Sequence, residues 1–441
     1  MFKRVFTLLS ILTLAVSLGL VGAGCKTTAA AETTAAAETT TAAETTAAEE
    51  VTLTFMHDKG GATNYQPFFE AMGAKTKELF GISIKPIPYP TTDVYMATVR
   101  TALSGSEGPD LFTWWSTYRM KEIIDQGLVA ETTDLWDNHK DEYLQGVRDS
   151  FTFDEKVYGF SYKQSFYVVY YNKDIFSKFG LSEPKTWSDF IKICETLKAN
   201  NVVPFGQTVQ ARYPAFVVFE EMIKGEDPSL YVDLCEGRAK YTDPRVKKAF
   251  GVWKDLIDKG YFTDPGTDLY ADMPTLFSND KLGMIMYGSQ YYANLIGAGI
   301  PAEKIGAFLL PPHNESAEKS VIVETSPILI SKNAPHLEAA KKAVDYLMGP
   351  EGNGIFAKLN LGFSSNTKTD KSFLPEVNVE IADIVVNENY RVLNRYWEAT
   401  PTPICEVAVD NFAEFILNTN SMDKVLADLD KIADKYWAQN K

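Results

Sequence analysis

Trp114 and Trp115 stand side by side after Pro109-Asp110-Leu111-Phe112-Thr113, a short apolar stretch that reads as a strand. Two indoles at a strand end are awkward to bury together, so at least one is a candidate binding platform. Asp58 and Lys59 follow another apolar stretch, Val51 to Phe55, and Gln207, Gln210, Arg212 and Tyr213 follow a third, Val202 to Gly206. Tyr287, Gln290, Tyr291 and Tyr292 close a fourth, and Tyr396 and Trp397 form one more ring pair before Pro401. Flat rings beside amide, carboxylate and guanidinium groups are the chemistry a neutral sugar needs. Its C–H faces stack on rings and its hydroxyls exchange hydrogen bonds with polar side chains.

Other chemistries lack their constellations. The chain has no GxSxG elbow, no GxxxxGK[ST] loop and no GxGxxG after a strand. His57, His139, His313 and His336 are scattered without metal-ligand spacing. Asp264, Asp268 and Asp272 suggest a calcium loop only loosely, since no closing bidentate glutamate follows. Carboxylates are numerous enough for a glycosidase pair, but the sequence singles out no pair. No catalytic residue, metal or cofactor is therefore expected. The net charge is −15, of which −13 falls on residues 51–441. A field of that sign repels phosphate backbones, so nucleic acid is not an expected partner.

The elements that must position these groups alternate. Val51 to Phe55 predicts a strand, Tyr65 to Phe80 a helix, Ile82 to Pro88 a strand, Val94 to Leu103 a helix and Pro109 to Phe112 a third strand. This order predicts a parallel sheet with helices on both faces, and ligands in such sheets sit at the carboxyl ends of strands. Phe166 to Tyr171 is an unbroken aromatic and β-branched run, the pattern of a strand buried on both faces. Thr186 or Ser188 is placed to cap a helix from Trp187 to Asn200, and Cys194 falls on its apolar face as a buried thiol. Cys194, Cys235 and Cys405 are widely spaced, and sequence does not say whether any two are bonded. Met422 to Trp437 carries a single apolar stripe and predicts a docked surface helix.

At the N-terminus, Lys3 and Arg4 precede an apolar run from Val5 to Val21 and then Gly22-Ala23-Gly24-Cys25, the pattern of a secretory signal. With cysteine in that place it resembles a bacterial lipoprotein signal, which implies lipidation of Cys25. Residues 26–50 repeat Ala-Ala-Glu-Thr-Thr with nothing to bury, and read as a flexible tether.

Lys156-Val157-Tyr158-Gly159, Tyr170-Tyr171-Asn172-Lys173-Asp174-Ile175-Phe176, Gly180-Leu181 and Pro184-Lys185-Thr186-Trp187 occur in that order. Together they resemble the composite motif of the extracellular solute-binding proteins of sugar ABC importers, the maltose-binding-protein-like family. Asp280 to Ser289 and Thr325 to Ser331 resemble two further segments of it, although Gln290 stands where the family has a tryptophan. The resemblance implies an α/β, two-lobe periplasmic-binding-protein-like type II fold with three interlobe crossings. It divides the chain into a signal peptide (1–24), a lipidated cysteine and tether (25–50), lobe 1 (51–163 and 324–362) and lobe 2 (164–323 and 363–441). It places a sugar-stacking ring at Trp114, polar ligand contacts at Asp58 and Lys59, and hinge contacts at Lys163, Gln164 and Ser165. The implied function is delivery of an oligosaccharide to the transmembrane subunits of an ABC permease. The carrier would be a monomer held by its lipid at the outer face of the bacterial cell membrane. The number of candidate rings favours an oligosaccharide over a monosaccharide, with β-1,4 xylo-, cello- or manno-oligosaccharides preferred over malto-oligosaccharides. An extracellular polysaccharide hydrolase, or the same fold with a non-sugar solute, is the alternative.

Overall fold

The computed structural model describes residues 50–60, 65–210 and 212–440. The signal segment, Cys25 and the tether up to residue 49 lie outside the described residues.

The described strands are β1 (Val51–His57), β2 (Ile82–Pro88), β3 (Leu111–Thr113), β4 (Thr152–Phe153), β5 (Lys156–Val157) and β6 (Phe160–Asn172), followed by β7 (Val203–Gly206), β8 (Leu282–Gly288), β9 (Ile305–Phe308), β10 (Ser320–Ile330) and β11 (Arg391–Asn394). β4 and β5 form a small hairpin. The others make one sheet in the order β2-β1-β3-β10-β6-β8-β7, with β11 beside β10 and β9 beside β6. The expected parallel pairing holds for β1 with β2 and β3, and for β7 with β8. β10 and β6 depart from it, because each runs from one hydrophobic core into the other and meets its neighbours from the opposite end. β10 is antiparallel to β3 and β6, and β6 is antiparallel to β8 and β9.

All thirteen residues of β6 are buried. Phe160 and Tyr162 enter a first core with Leu53, Phe55, Phe69, Phe112 and Trp136, while Phe166 to Tyr171 enter a second with Phe205, Phe219, Trp253 and Phe412. β10 does the reverse: Val321 to Val323 belong to the second core and Ile328 to Ile330 to the first. Where the two strands cross between cores the apolar pattern breaks. Ser326 lies opposite Lys163, Thr325 opposite Gln164 and Glu324 opposite Ser165, with a register irregularity at Ser326/Pro327. A third connection passes at Phe363, whose carbonyl accepts from the Gln164 amide.

Local chemistry sets the helix ends. Thr186 Oγ1 accepts from Asp189 N while the Asp189 carboxylate accepts from Thr186 N, so both ends of a capping box are made before the helix Trp187–Ala199. The helix Gln66–Phe80 stops at Gly81, whose φ of 70° is costly for residues with a Cβ. Met422–Asn440 buries Val425, Leu426, Leu429 and Ala433. Cys194, Cys235 and Cys405 are buried free thiols. Among the described residues no helix is long and apolar enough to cross a membrane.

Candidate functional site

A cleft of about 760 Å³ opens between the two cores, floored by the crossing strands and walled by loops at strand ends. On the first-core side, Asp58 leaves β1 and accepts a hydrogen bond from Thr113 Oγ1 at the end of β3 (3.0 Å), while its other oxygen pairs with Lys59 (2.7 Å). His57, just before it, is buried 4.2 Å from Phe69, and burial pushes its pKa down to about 4, so it stays neutral. Tyr65 lies 5.7 Å from the ammonium groups of both Lys59 and Lys163.

The tryptophan pair divides its work. Trp114 is 5% exposed, its Nε1 donates to the Arg119 carbonyl (2.8 Å), and the Arg100 guanidinium lies 5.5 Å from its ring. The core takes it, and it does not line the cleft as the resemblance implied. Trp115 does, edge-on to Trp114 at 5.2 Å.

On the floor, Glu324 reaches Arg395 at 2.9 Å and Lys163 at 3.6 Å. Burial disfavours its ionised form, but Arg395, Lys163 and Lys59 override this and hold its pKa down to about 2. Burial likewise opposes the charge on Lys163, and Tyr65 and Glu324 more than offset it, raising its pKa. Because side chains alternate along a strand, Lys163 faces the cleft and Gln164 faces the opposite side of the sheet. Ser165 sits beneath Gln290, bonded to it and to Ser289, so it supports the lining without forming it.

On the second-core side, the hydroxyls of Tyr213, Tyr270 and Tyr287 form a closed triangle with edges of 2.9, 2.9 and 3.1 Å. Gln290 continues this wall. Trp397 lies against Phe216 and carries the Arg119 guanidinium 4.4 Å from its ring. Arg212, held at a φ of 62°, pairs with Glu406 and Asp410.

The structure thus brings Asp58, Lys59, Trp115, Lys163, Arg212, Tyr213, Tyr287, Gln290 and Trp397 to one cleft. The remaining expected residues serve elsewhere. Gln207 is buried and accepts from Trp253 Nε1 (2.7 Å), and Gln210 bonds Thr208 and Gly266 in its own loop. Tyr291 is buried with its hydroxyl on the Leu269 carbonyl, and Tyr292 is buried beside Tyr170. Tyr396 is fully buried against Tyr241. Sequence reasoning missed Tyr65, Arg119, Tyr270, Glu324, Arg395 and Glu406, all of which line the cleft. One signal was available: Glu324 is a lone charge inside the apolar run Val321 to Ile330. Asp264 and Asp268 accept backbone N–H bonds within their own turns, and among the described residues no cluster is disposed to hold a metal ion.

The cations of this cleft are already paired. Lys59 meets Asp58, Lys163 and Arg395 meet Glu324, and Arg395 also meets Glu398; Arg119 and Arg212 share Glu406, and Arg212 adds Asp410. The cleft can therefore offer stacking faces and directional hydrogen bonds without demanding a charged ligand.

Residues 71–373 match the model of the bacterial extracellular solute-binding protein family. This chain belongs to that family. The family is one of binding proteins that work outside the cytoplasm. Among this member's relatives is a binding protein of Brucella abortus, 26% identical over 313 residues, which cover 67% of this chain and 72% of the relative. The multiple sugar-binding protein of Streptococcus mutans is 25% identical over 206 residues, 44% of this chain and 47% of that protein. Among solved structures, the bacterial solute receptor AcbH, described as having an exclusive preference for β-D-galactopyranose, superposes with a TM-score of 0.76 at 18% identity. The match covers 88% of this chain and 99% of AcbH. The solute-binding protein described here has the same type II fold, with its cleft between two α/β lobes joined by three crossings.

Proposed function

We propose that this solute-binding protein is a lipid-anchored, monomeric carrier that delivers an oligosaccharide to an ABC importer by closing about its crossing strands. The observation that carries the reading is a cleft whose charges are paired among themselves while Trp115, Trp397, Tyr213, Tyr270 and Tyr287 line it. A polyamine needs convergent unpaired carboxylates, and an anionic solute needs unpaired cations; a sugar needs neither. The multiple sugar-binding relative in Streptococcus mutans supports the same ligand class.

Lobe 1 comprises 51–163 and 324–362, and lobe 2 comprises 164–323 and 363–441. Ligand that contacts Trp115 on one lobe and the tyrosine triangle on the other favours the closed state by its differential affinity for it. The permease subunits then recognise that closed state. Rings on both walls suit an extended chain that presents alternating flat faces, which favours β-1,4-linked xylo-, cello- or manno-oligosaccharides. The lipid on Cys25 and the tether would hold the carrier at the outer face of the cell membrane.

The test is thermal unfolding against a panel of oligosaccharides, with thin-layer analysis of each mixture afterwards. At one hundred times Kd a ligand of the native state adds about 2.7 kcal/mol of stability. Stabilisation by one linkage class with the sugar intact is the expected result. Cleaved sugar would make the protein a hydrolase, and no shift with any sugar would sink the carbohydrate assignment.

A further inference from the structure

Among the described non-glycine residues with a positive φ, Arg212 alone lines the cleft. Its φ of 62° and ψ of −61° fall in the rare γ-turn region, which is strained for a residue with a Cβ. Glycine would occupy that region at lower cost, yet the chain places arginine there. The side chain shows what holds the strain. Nε and Nη2 donate to the two carboxylate oxygens of Asp410 at 2.8 and 2.9 Å. Nη2 also donates to the Glu406 carbonyl at 3.1 Å, and Nη1 to Glu406 Oε2 at 3.4 Å. Glu406 and Asp410 stand one turn apart on the helix Thr402–Leu417, which buries Ile404, Val409 and Phe412 in the second core. A bidentate guanidinium–carboxylate pair fixes direction as well as distance. The two side chains are 55% and 61% exposed, so the pair adds little to stability. What it secures is geometry.

Tyr213 follows directly in the chain. Its hydroxyl makes two of the three edges of the tyrosine triangle, with Tyr270 and with Tyr287, both 2.9 Å. Three hydroxyls bring three hydrogens, and three closed edges use all of them. The closed triangle can accept from a ligand but has no hydrogen left to donate. When Tyr213 leaves, Tyr270 and Tyr287 need only one hydrogen for the edge between them, and the other becomes a donor to the cleft.

We propose that Arg212 is a positioning residue. Its clamp onto the helix Thr402–Leu417 holds the strained backbone that carries Tyr213 into the triangle, and so makes this wall of the cleft an acceptor for sugar hydroxyls. The clamp stands on the chain itself; its consequence for a sugar rests on the carbohydrate reading above.

The experiment compares Arg212→Ala with Arg212→Gly. Both lose the guanidinium, so any direct contact between arginine and ligand is lost equally, and the two differ in the backbone each tolerates. In crystals grown without sugar, Arg212→Ala is expected to relax to negative φ and carry the Tyr213 hydroxyl out of hydrogen-bond reach of Tyr270 and Tyr287. Arg212→Gly should keep the turn, which retains its own bonds from the residue 212 amide to the Val209 carbonyl and from the Ala215 amide to the residue 212 carbonyl. Asp410→Ala, outside the cleft lining, removes the two shortest clamp bonds and should displace Tyr213 as Arg212→Ala does. Calorimetry with xylotriose, cellotriose and mannotriose then reads the effect on binding. Arg212→Ala should bind about tenfold more weakly than Arg212→Gly, the scale of a lost hydrogen bond. A Tyr213→Phe background should erase that difference, because the clamp acts through the Tyr213 hydroxyl. An intact triangle in Arg212→Ala or Asp410→Ala, equal affinities of the alanine and glycine variants, or a difference that survives Tyr213→Phe would overturn the proposal. If none of the three sugars binds the wild type, the carbohydrate reading fails, and the crystals alone decide the clamp.

Discussion

Glu324→Gln removes the one carboxylate that faces both Lys163 and Arg395 at the floor of the cleft. The three side chains are 15%, 6% and 10% exposed, so water screens their interaction weakly. Holding the carboxyl at about 2 instead of the ordinary 4.5, at about 1.4 kcal/mol per pKa step, corresponds to about 3 kcal/mol in favour of the folded, ionised form. Mutational experience with one-sided removal of a buried ion pair, about 3–5 kcal/mol, agrees with that scale. Glutamine keeps the shape of the side chain but leaves Lys163 without its counter-charge and Arg395 with Glu398 alone.

The pH dependence gives the sharper test. A carboxyl whose folded pKa is depressed contributes its full stabilisation above its unfolded value and loses it as pH falls toward its folded value. Wild type and Glu324→Gln should therefore differ by about 3 kcal/mol at pH 7. The gap should shrink as pH falls from about 4.5 to about 2. Urea unfolding followed by tryptophan fluorescence across this range measures it. A gap that does not change with pH, or one of about 1 kcal/mol or less at pH 7, as exposed pairs give, would refute the argument.

The adjacent tryptophans should separate by phenotype. Trp114→Ala should cost about 3–5 kcal/mol of stability, whereas Trp115→Ala should melt near wild type and lose about tenfold in oligosaccharide affinity by calorimetry. Cys194, Cys235 and Cys405 should not react with a thiol reagent in the native protein and should all react in denaturant, since each is buried and burial pushes the Cys235 thiol up to about 12. Thr186→Ala breaks the capping box and should cost about 1 kcal/mol in chemical unfolding, with ligand affinity unchanged.

What the sequence determined by itself was whatever depends on neighbours along the chain. An apolar run without alternation made β6 a doubly buried strand, and Thr186 with Asp189 began a helix because both bonding partners lie three residues apart. Asp58 and Trp115 could be placed at strand ends because those strands stop where their apolar runs stop. Pairings across long separations could not be read this way. Glu324 and Arg395 are 71 residues apart, and the hydroxyls of Tyr213, Tyr270 and Tyr287 meet only once two loops and β8 are folded together. Parity was equally out of reach. Trp114 and Trp115, like Lys163 and Gln164, are consecutive residues that the chain sends in opposite directions. Which member faces the cleft depends on which face of each strand meets a core, and the tertiary structure alone decided that.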